Sequence, residues 1–172
     1  LQKDSSGIWT ITLGQITPDI YPYNFIVDGT AVSDPANTYL FPNENFKASL
    51  VEIPVAPGEK PLISSMQNVD HGKVTYCYYP SETLKCTRPL LVYTPPGYDA
   101  DNKKYPVLYL ISGTTDTEET WFKVGRANLI LDNLIAQKKA VPMIIVMPYG
   151  NMLIGTPSPS SMQAADMYKV FS

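Results

Sequence analysis

Two solid apolar runs with one amphipathic run between them, inside residues 105–151, constrain this chain more than anything else in it. Residues 107–111 read Val-Leu-Tyr-Leu-Ile, and residues 143–147 read Met-Ile-Ile-Val-Met. With nothing charged in either run, both are expected to be strands covered on both faces, as in a parallel sheet. Between them, Ala127, Ile130, Leu131, Leu134 and Ile135 recur at i, i+3, i+4, i+7 and i+8. That spacing is one face of a helix. It leaves Asp132 and Asn133 on the polar, solvated side. Strand, helix and strand form a right-handed βαβ unit. Ligands of such sheets sit beyond the carboxyl ends of the strands. The first of these ends is Ser112-Gly113-Thr114-Thr115, where chemistry is expected. The second leads into Asn151, on the same side, as a candidate pocket wall.

The rest of the chain divides around this unit. Residues 1–55 read as β, residues 56–71 as a Pro- and Gly-containing linker, and residues 72–172 as the α/β portion. Alternating runs at residues 8–13, 21–27 and 49–55 predict strands, and Asp28-Gly29 predicts a tight hairpin turn. Asp34-Pro35-Ala36-Asn37 predicts another turn. Helical spacing recurs in Ala164, Met167, Tyr168 and Phe171, after a Pro/Ser-rich loop at residues 155–160. A net charge of −3 gives no electrostatic reason to expect nucleic acid or an anionic membrane as partner. No apolar run approaches the roughly 20 residues needed to span a bilayer.

Several side chains invite a chemical reading. Trp9, Tyr21, Tyr23, Tyr39 and Phe41 offer faces on which a pyranose ring could stack. Trp9 and Tyr23 are the candidates for carbohydrate stacking, against a first reading of both as packing residues. Cys77 and Cys86 flank a hairpin turn. If that turn centres between Ser81 and Glu82, the two cysteines face each other and a disulfide is geometrically open to them. The other reading is two small apolar residues in neighbouring strands. Their number and spacing do not make a zinc site, and residues 99–104 lack the calcium-loop pattern, so no metal is expected. His71, the sole histidine, is read as a hydrogen bonder at a linker or strand edge. Asp116, Glu118 and Glu119 are read as charges at a helix N-terminus, with Thr115 and Glu118 as a capping box. Paired carboxylates for glycoside hydrolysis are the lesser alternative.

The matching residues then point to a family. They are Tyr93-Thr94-Pro95-Pro96-Gly97-Tyr98, Tyr105-Pro106-Val107-Leu108-Tyr109-Leu110, Trp121, Gly125-Arg126-Ala127-Asn128, residues 131–136 and Ile145-Val146-Met147-Pro148-Tyr149-Gly150-Asn151. With them, residues 72–172 resemble the first part of an α/β-hydrolase esterase of carbohydrate esterase family 1. This is the feruloyl and acetyl xylan esterase group, and enterochelin esterase-like proteins share its pattern. Gly7-Ile8-Trp9-Thr10, Tyr21-Pro22-Tyr23-Asn24-Phe25, Val27-Asp28-Gly29 and residues 34–37 resemble the second half of an early-set, glycogen-binding-like module. The fold expected is therefore the N-terminal portion of an α/β-hydrolase preceded by a partial all-β immunoglobulin-like sandwich, in a chain cut at both ends.

The resemblance implies roles. The loop after the first buried strand supplies a backbone donor to the oxyanion hole. Here that donor is the amide of Thr114, with Gly113 allowing the turn; a plain strand-to-loop turn is the alternative. Ser112, Thr115 and Trp121 join Asn151 as pocket-wall candidates. The family nucleophile sits in Gly-x-Ser-x-Gly, followed by Asp or Glu and then His. No such pentapeptide occurs in these 172 residues, and His71 lies upstream of the place the catalytic histidine would take. No catalytic side chain is thus expected in this chain, which alone would be inactive. The implied activity is a serine carboxylic-ester hydrolase, feruloyl esterase first, with no cofactor. The implied partners are an acylated plant polysaccharide or oligosaccharide and the remainder of the esterase, in the same or a second chain. The implied location is secreted or periplasmic, in a bacterium. A non-catalytic carbohydrate-binding or scaffolding protein and a siderophore esterase are the alternatives. A siderophore would suit a basic pocket, whereas Asp116, Glu118 and Glu119 outnumber Lys123 and Arg126 here.

Overall fold

The computed structural model describes residues 1–100 and 103–151. The expectations for residues 155–160 and for the helical spacing of residues 164–171 lie outside the described residues. In chain order come β1 (Gln2–Lys3), β2 (Trp9–Thr10), β3 (Asp19–Tyr23), β4 (Phe25–Val27), β5 (Thr30–Val32) and β6 (Ser49–Ile53). They form three separate antiparallel pairs: β1 with β2, β3 with β6, and β4 with β5. They are separate two-stranded sheets, where a partial immunoglobulin-like sandwich was expected. The run at residues 21–27 is broken at Asn24, and only Trp9–Thr10 of the run at 8–13 is strand. The Asp28-Gly29 turn is present, with φ of 50° and 80° at its two central residues. Two positive φ values give the twist that joins β4 directly to β5.

The larger sheet takes β7 (Lys73–Ser81), β8 (Cys86–Thr94), β9 (Val107–Tyr109) and β10 (Ile144–Pro148), in the order β7-β8-β10-β9. β8 is antiparallel to both its neighbours, and β10 runs parallel to β9. Helix α1 (Thr120–Lys123) and helix α2 (Ala127–Ala136) lie between β9 and β10 in sequence. Leu91, Tyr93, Leu131, Ile145 and Met147 form the core, with Ala127, Ile135 and Met143 packed on it. β10 is central and its Ile145 and Met147 are 2 % and 0 % exposed. Among the described residues β9 is an edge strand, and the exposure of its side chains corrects the expectation of two covered faces. Leu108 is 41 % and Tyr109 66 % exposed, so neither face of the strand is closed over.

The helix face also needs correction. Asp132 and Asn133, expected in solvent, are among the most buried side chains of α2. Asp132 accepts from Tyr93 Oη at 2.5 Å, His71 Nδ1 at 2.9 Å and the Gly72 amide at 3.0 Å. Asn133 Nδ2 donates to the carbonyls of Ile63 and Ser65 at 2.7 and 2.9 Å. The segment before β7 is therefore stapled to α2 by Asp132 and by the Asn133 amide nitrogen, while Asn133 Oδ1 is buried with no partner among the described residues. Gly72 fits only as glycine, since a Cβ there would lie 2.2 Å from the Thr94 carbonyl oxygen. The hydrogen bond to Asp132 holds the His71 imidazole above its ordinary 6.5. A histidine raised on folding stabilises fully below its unfolded pKa and loses that contribution as pH rises through the folded value. Urea midpoints are thus expected to fall as pH climbs past 6.5, and to lose that slope in His71→Gln.

The β7–β8 register pairs Ser81 with Cys86 and Cys77 with Leu90. The turn is Glu82-Thr83-Leu84-Lys85, two residues later than the disulfide geometry required, and it closes through Lys85 at φ 54°. Four residues of strand, about 13 Å at the usual rise, separate Cys77 from the position opposite Cys86. That is beyond the reach of a disulfide, and no disulfide joins them.

Candidate active site

The candidate site is built from the loops that leave β9 and β10 at their shared carboxyl end. Leu110 still pairs with β10, its amide donating to the Val146 carbonyl at 2.9 Å. The chain then turns through Ser112 and Gly113, and the Asp116 amide closes back on the Gly113 carbonyl at 3.1 Å. Gly113 and Thr114 are exposed, and among the described residues neither amide donates a hydrogen bond. Two neighbouring donors without an internal acceptor are what an oxyanion would take up. Asp116 Oδ2 would lie 3.2 Å from a Cβ at Gly113, so the turn leaves little room for a side chain there.

Gly150 sets how close the two loops come. A Cβ there would stand 2.5 Å from the Gly113 carbonyl oxygen, 2.9 Å from Ser112 Oγ and 3.0 Å from the Ser112 carbonyl oxygen. Only hydrogen fits between the loop after β10 and the loop after β9. Ser112 is half-buried in this contact, its Oγ 3.4 Å from the Thr117 carbonyl. Thr115, also half-buried, uses its carbonyl to accept from the Glu44 amide at 2.8 Å and its Oγ1 to accept from Asn43 Nδ2 at 3.0 Å. Trp121 is 39 % exposed and lies over Gly125, where a Cβ would meet its ring at 2.7 Å. Asn151 donates to the Glu44 carboxylate.

Other candidates sit elsewhere. Trp9 is 60 % exposed with the Lys3 ammonium 5.8 Å from its ring, so it does not pack in a core. Tyr23 is tied into the β3–β6 region: its Oη donates to Asp34 at 2.6 Å, accepts from Asn37 at 3.1 Å, and its ring meets Phe25 edge-on at 5.9 Å. The expected capping box does not form. Glu119, not Thr115, precedes α1, and it caps with no side-chain hydrogen bond. Glu118 instead has its Oε2 buried without a partner, and burial raises its pKa.

The sequence reading missed three residues that hold this end of the sheet. Arg88, 2 % exposed on β8, donates to the Tyr149 carbonyl at 3.0 Å and to the Asn151 carbonyl, and stacks 5.2 Å from the Tyr149 ring. An arginine interrupting an apolar run was the available signal. Asn43 and Glu44 gave none, because their partners lie more than 70 residues downstream. Burial and the hydrogen bond to Glu44 push the Tyr149 phenol up, so it remains a donor at neutral pH.

Comparison with known proteins adds kinship to this geometry. A family model described as Esterase matches residues 81–158. An endo-1,4-beta-xylanase/feruloyl esterase of Xylanibacter ruminicola is 34 % identical over 155 residues, covering 87 % of this chain and 21 % of that protein. Endo-1,4-beta-xylanase Y of Acetivibrio thermocellus is 41 % identical over 66 residues, 38 % of this chain and 6 % of that one. Among solved structures, a carbohydrate esterase family 1 ferulic acid esterase from Anaeromyces mucronatus, in complex with ferulic acid, aligns at TM-score 0.47. It is 29 % identical, over 58 % of this chain and 35 % of that chain. The chain thus spans about a fifth of the length of the first relative, and the sequence matches carry the relationship. Residues 81–158 thus match the Esterase family model, and 155 residues of the chain are similar to a xylanase/feruloyl esterase of which they span 21 %.

Proposed function

We infer that this chain forms the oxyanion-hole side of a serine carboxylic-ester hydrolase that releases hydroxycinnamoyl groups, feruloyl first, from plant polysaccharide. One observation carries the reading: among the described residues, the adjacent exposed amides at Gly113 and Thr114 have no internal acceptor, at the carboxyl end of β9, within a segment that matches the Esterase family model. A serine hydroxyl supplied from outside these 172 residues attacks the ester carbonyl, and its proton passes to a histidine base. The carbonyl oxygen gains negative charge and accepts from the two amides. Collapse expels the sugar alcohol, which takes the proton back from the histidine. Water then repeats the sequence on the acyl-enzyme. The outer edge of β9, bare among the described residues, suits a further parallel strand bearing that serine. Residues 1–55 remain the proposed early-set portion, and secretion or a periplasmic location fits a polysaccharide substrate.

The test is hydrolysis of methyl ferulate by the full-length protein. Turnover with a trapped feruloyl-enzyme is the expected result, and this chain alone should give none. A folded full-length protein with neither turnover nor adduct rejects the reading.

A further inference from the structure

We propose that Asn43 and Glu44 are positioning residues, a two-residue strap from the upstream β region that fixes the loops at the tips of both parallel strands. The inference deepens the esterase reading and rests on it for its catalytic half. The strap pairs with the loop after β9 as a short antiparallel bridge, Asn43 opposite Asp116. The Glu44 amide donates to the Thr115 carbonyl at 2.8 Å, and the Thr117 amide donates to the Pro42 carbonyl at 3.1 Å. Thr120 Oγ1 adds a bond to the same Pro42 carbonyl at 3.0 Å. The Glu44 carboxylate accepts from Tyr149 Oη and Asn151 Nδ2, both just past β10. One strap therefore grips two loops that touch at Gly150 and Gly113, and an ester would lie on their exposed side, against the Gly113 and Thr114 amides.

The Asn43 side chain is oriented by its own turn. Its Oδ1 accepts from the amides of Asn45 at 2.9 Å and Phe46 at 2.8 Å. The amide nitrogen must then face the loop, where it donates to Asp116 Oδ1 at 2.6 Å and Thr115 Oγ1 at 3.0 Å. Asp116 is the residue whose own amide closes the turn on the Gly113 carbonyl. The chain of contacts from Asn43 to the oxyanion amides is thus two hydrogen bonds long.

This geometry gives a nearly isosteric test. Asn43→Asp keeps the oxygen that holds the strap's own turn, but sets a carboxylate against the Asp116 carboxylate. Adding Asp116→Asn restores a donor–acceptor pair with the roles exchanged. In the full-length protein, Asn43→Asp is expected to speed hydrogen exchange at the Asp116 and Thr117 amides about tenfold or more, with core strands unchanged. It should lower kcat for methyl ferulate about 100-fold, the scale of a small misplacement, with KM within about twofold. The double variant should recover most of both. Glu44→Gln, which keeps the backbone pairing, should give a smaller kcat loss in the same direction.

Unchanged exchange at Asp116 and Thr117 in Asn43→Asp would overturn the strap. So would faster exchange with kcat intact in an active enzyme, or the absence of any rescue by Asp116→Asn. A wild-type protein that turns over no ester would sink the esterase reading alone, and the exchange arm would still decide whether the strap holds the loop.

Discussion

Gly150→Ala is expected to destabilise the protein by about 1–3 kcal/mol, the usual cost of overpacking, and to cut ester turnover in the full-length protein about 100-fold. The added methyl group would sit 2.5 Å from the Gly113 carbonyl oxygen and 3.0 Å from that of Ser112. Both obstacles are main chain, so no rotamer change relieves the contact. The loop after β9 must move, and the amides of Gly113 and Thr114 move with it. Gly14→Ala is the control, since nothing lies within 4 Å of a Cβ there. Thermal unfolding and methyl ferulate kinetics on the two variants would show the contrast. Equal melting temperatures would mean that the two loops are not in contact as described.

The second large effect is expected at Asp132→Ala, a loss of about 3–5 kcal/mol, as when one member of a buried polar network is removed. Asp132 is 2 % exposed and accepts from Tyr93 Oη, His71 Nδ1 and the Gly72 amide. Alanine leaves the fully buried Tyr93 hydroxyl without an acceptor and releases the segment before β7 from α2. Tyr93→Phe removes a donor instead and leaves Asp132 its other two, so a smaller cost, about 1–2 kcal/mol, is expected. Urea unfolding of the two variants gives the ordering, and an Asp132→Ala protein as stable as the parent would contradict the network.

The βαβ unit was legible in the sequence because its signals are local. The apolar runs fell on β9 and β10, and the helical period fell on α2. Asp28-Gly29 and the β7–β8 hairpin were legible for the same reason, although the turn at residues 82–85 was placed two residues early. Asp132 and Asn133 were misread because a helical period scores polarity, not partners. Their hydrogen-bonding groups come from Tyr93 and from residues 63–72, some 40 to 70 positions away. β9 was expected to be covered because its composition is that of an interior strand, while its surroundings as described are those of an edge. At the site, Gly113 and Thr114 could be singled out by their place after a strand. The hold of Asn43, Glu44 and Arg88 on that end of the sheet depends on a tertiary approach that no window of sequence contains.

The margin of β9, uncovered among the described residues, has a directional consequence. A strand that docks there after a right-handed crossover runs the same way as β9, so its tip emerges at the end of the sheet where Gly113 lies. Seating such a strand and delivering its terminal residue to the amides of Gly113 and Thr114 would be a single event.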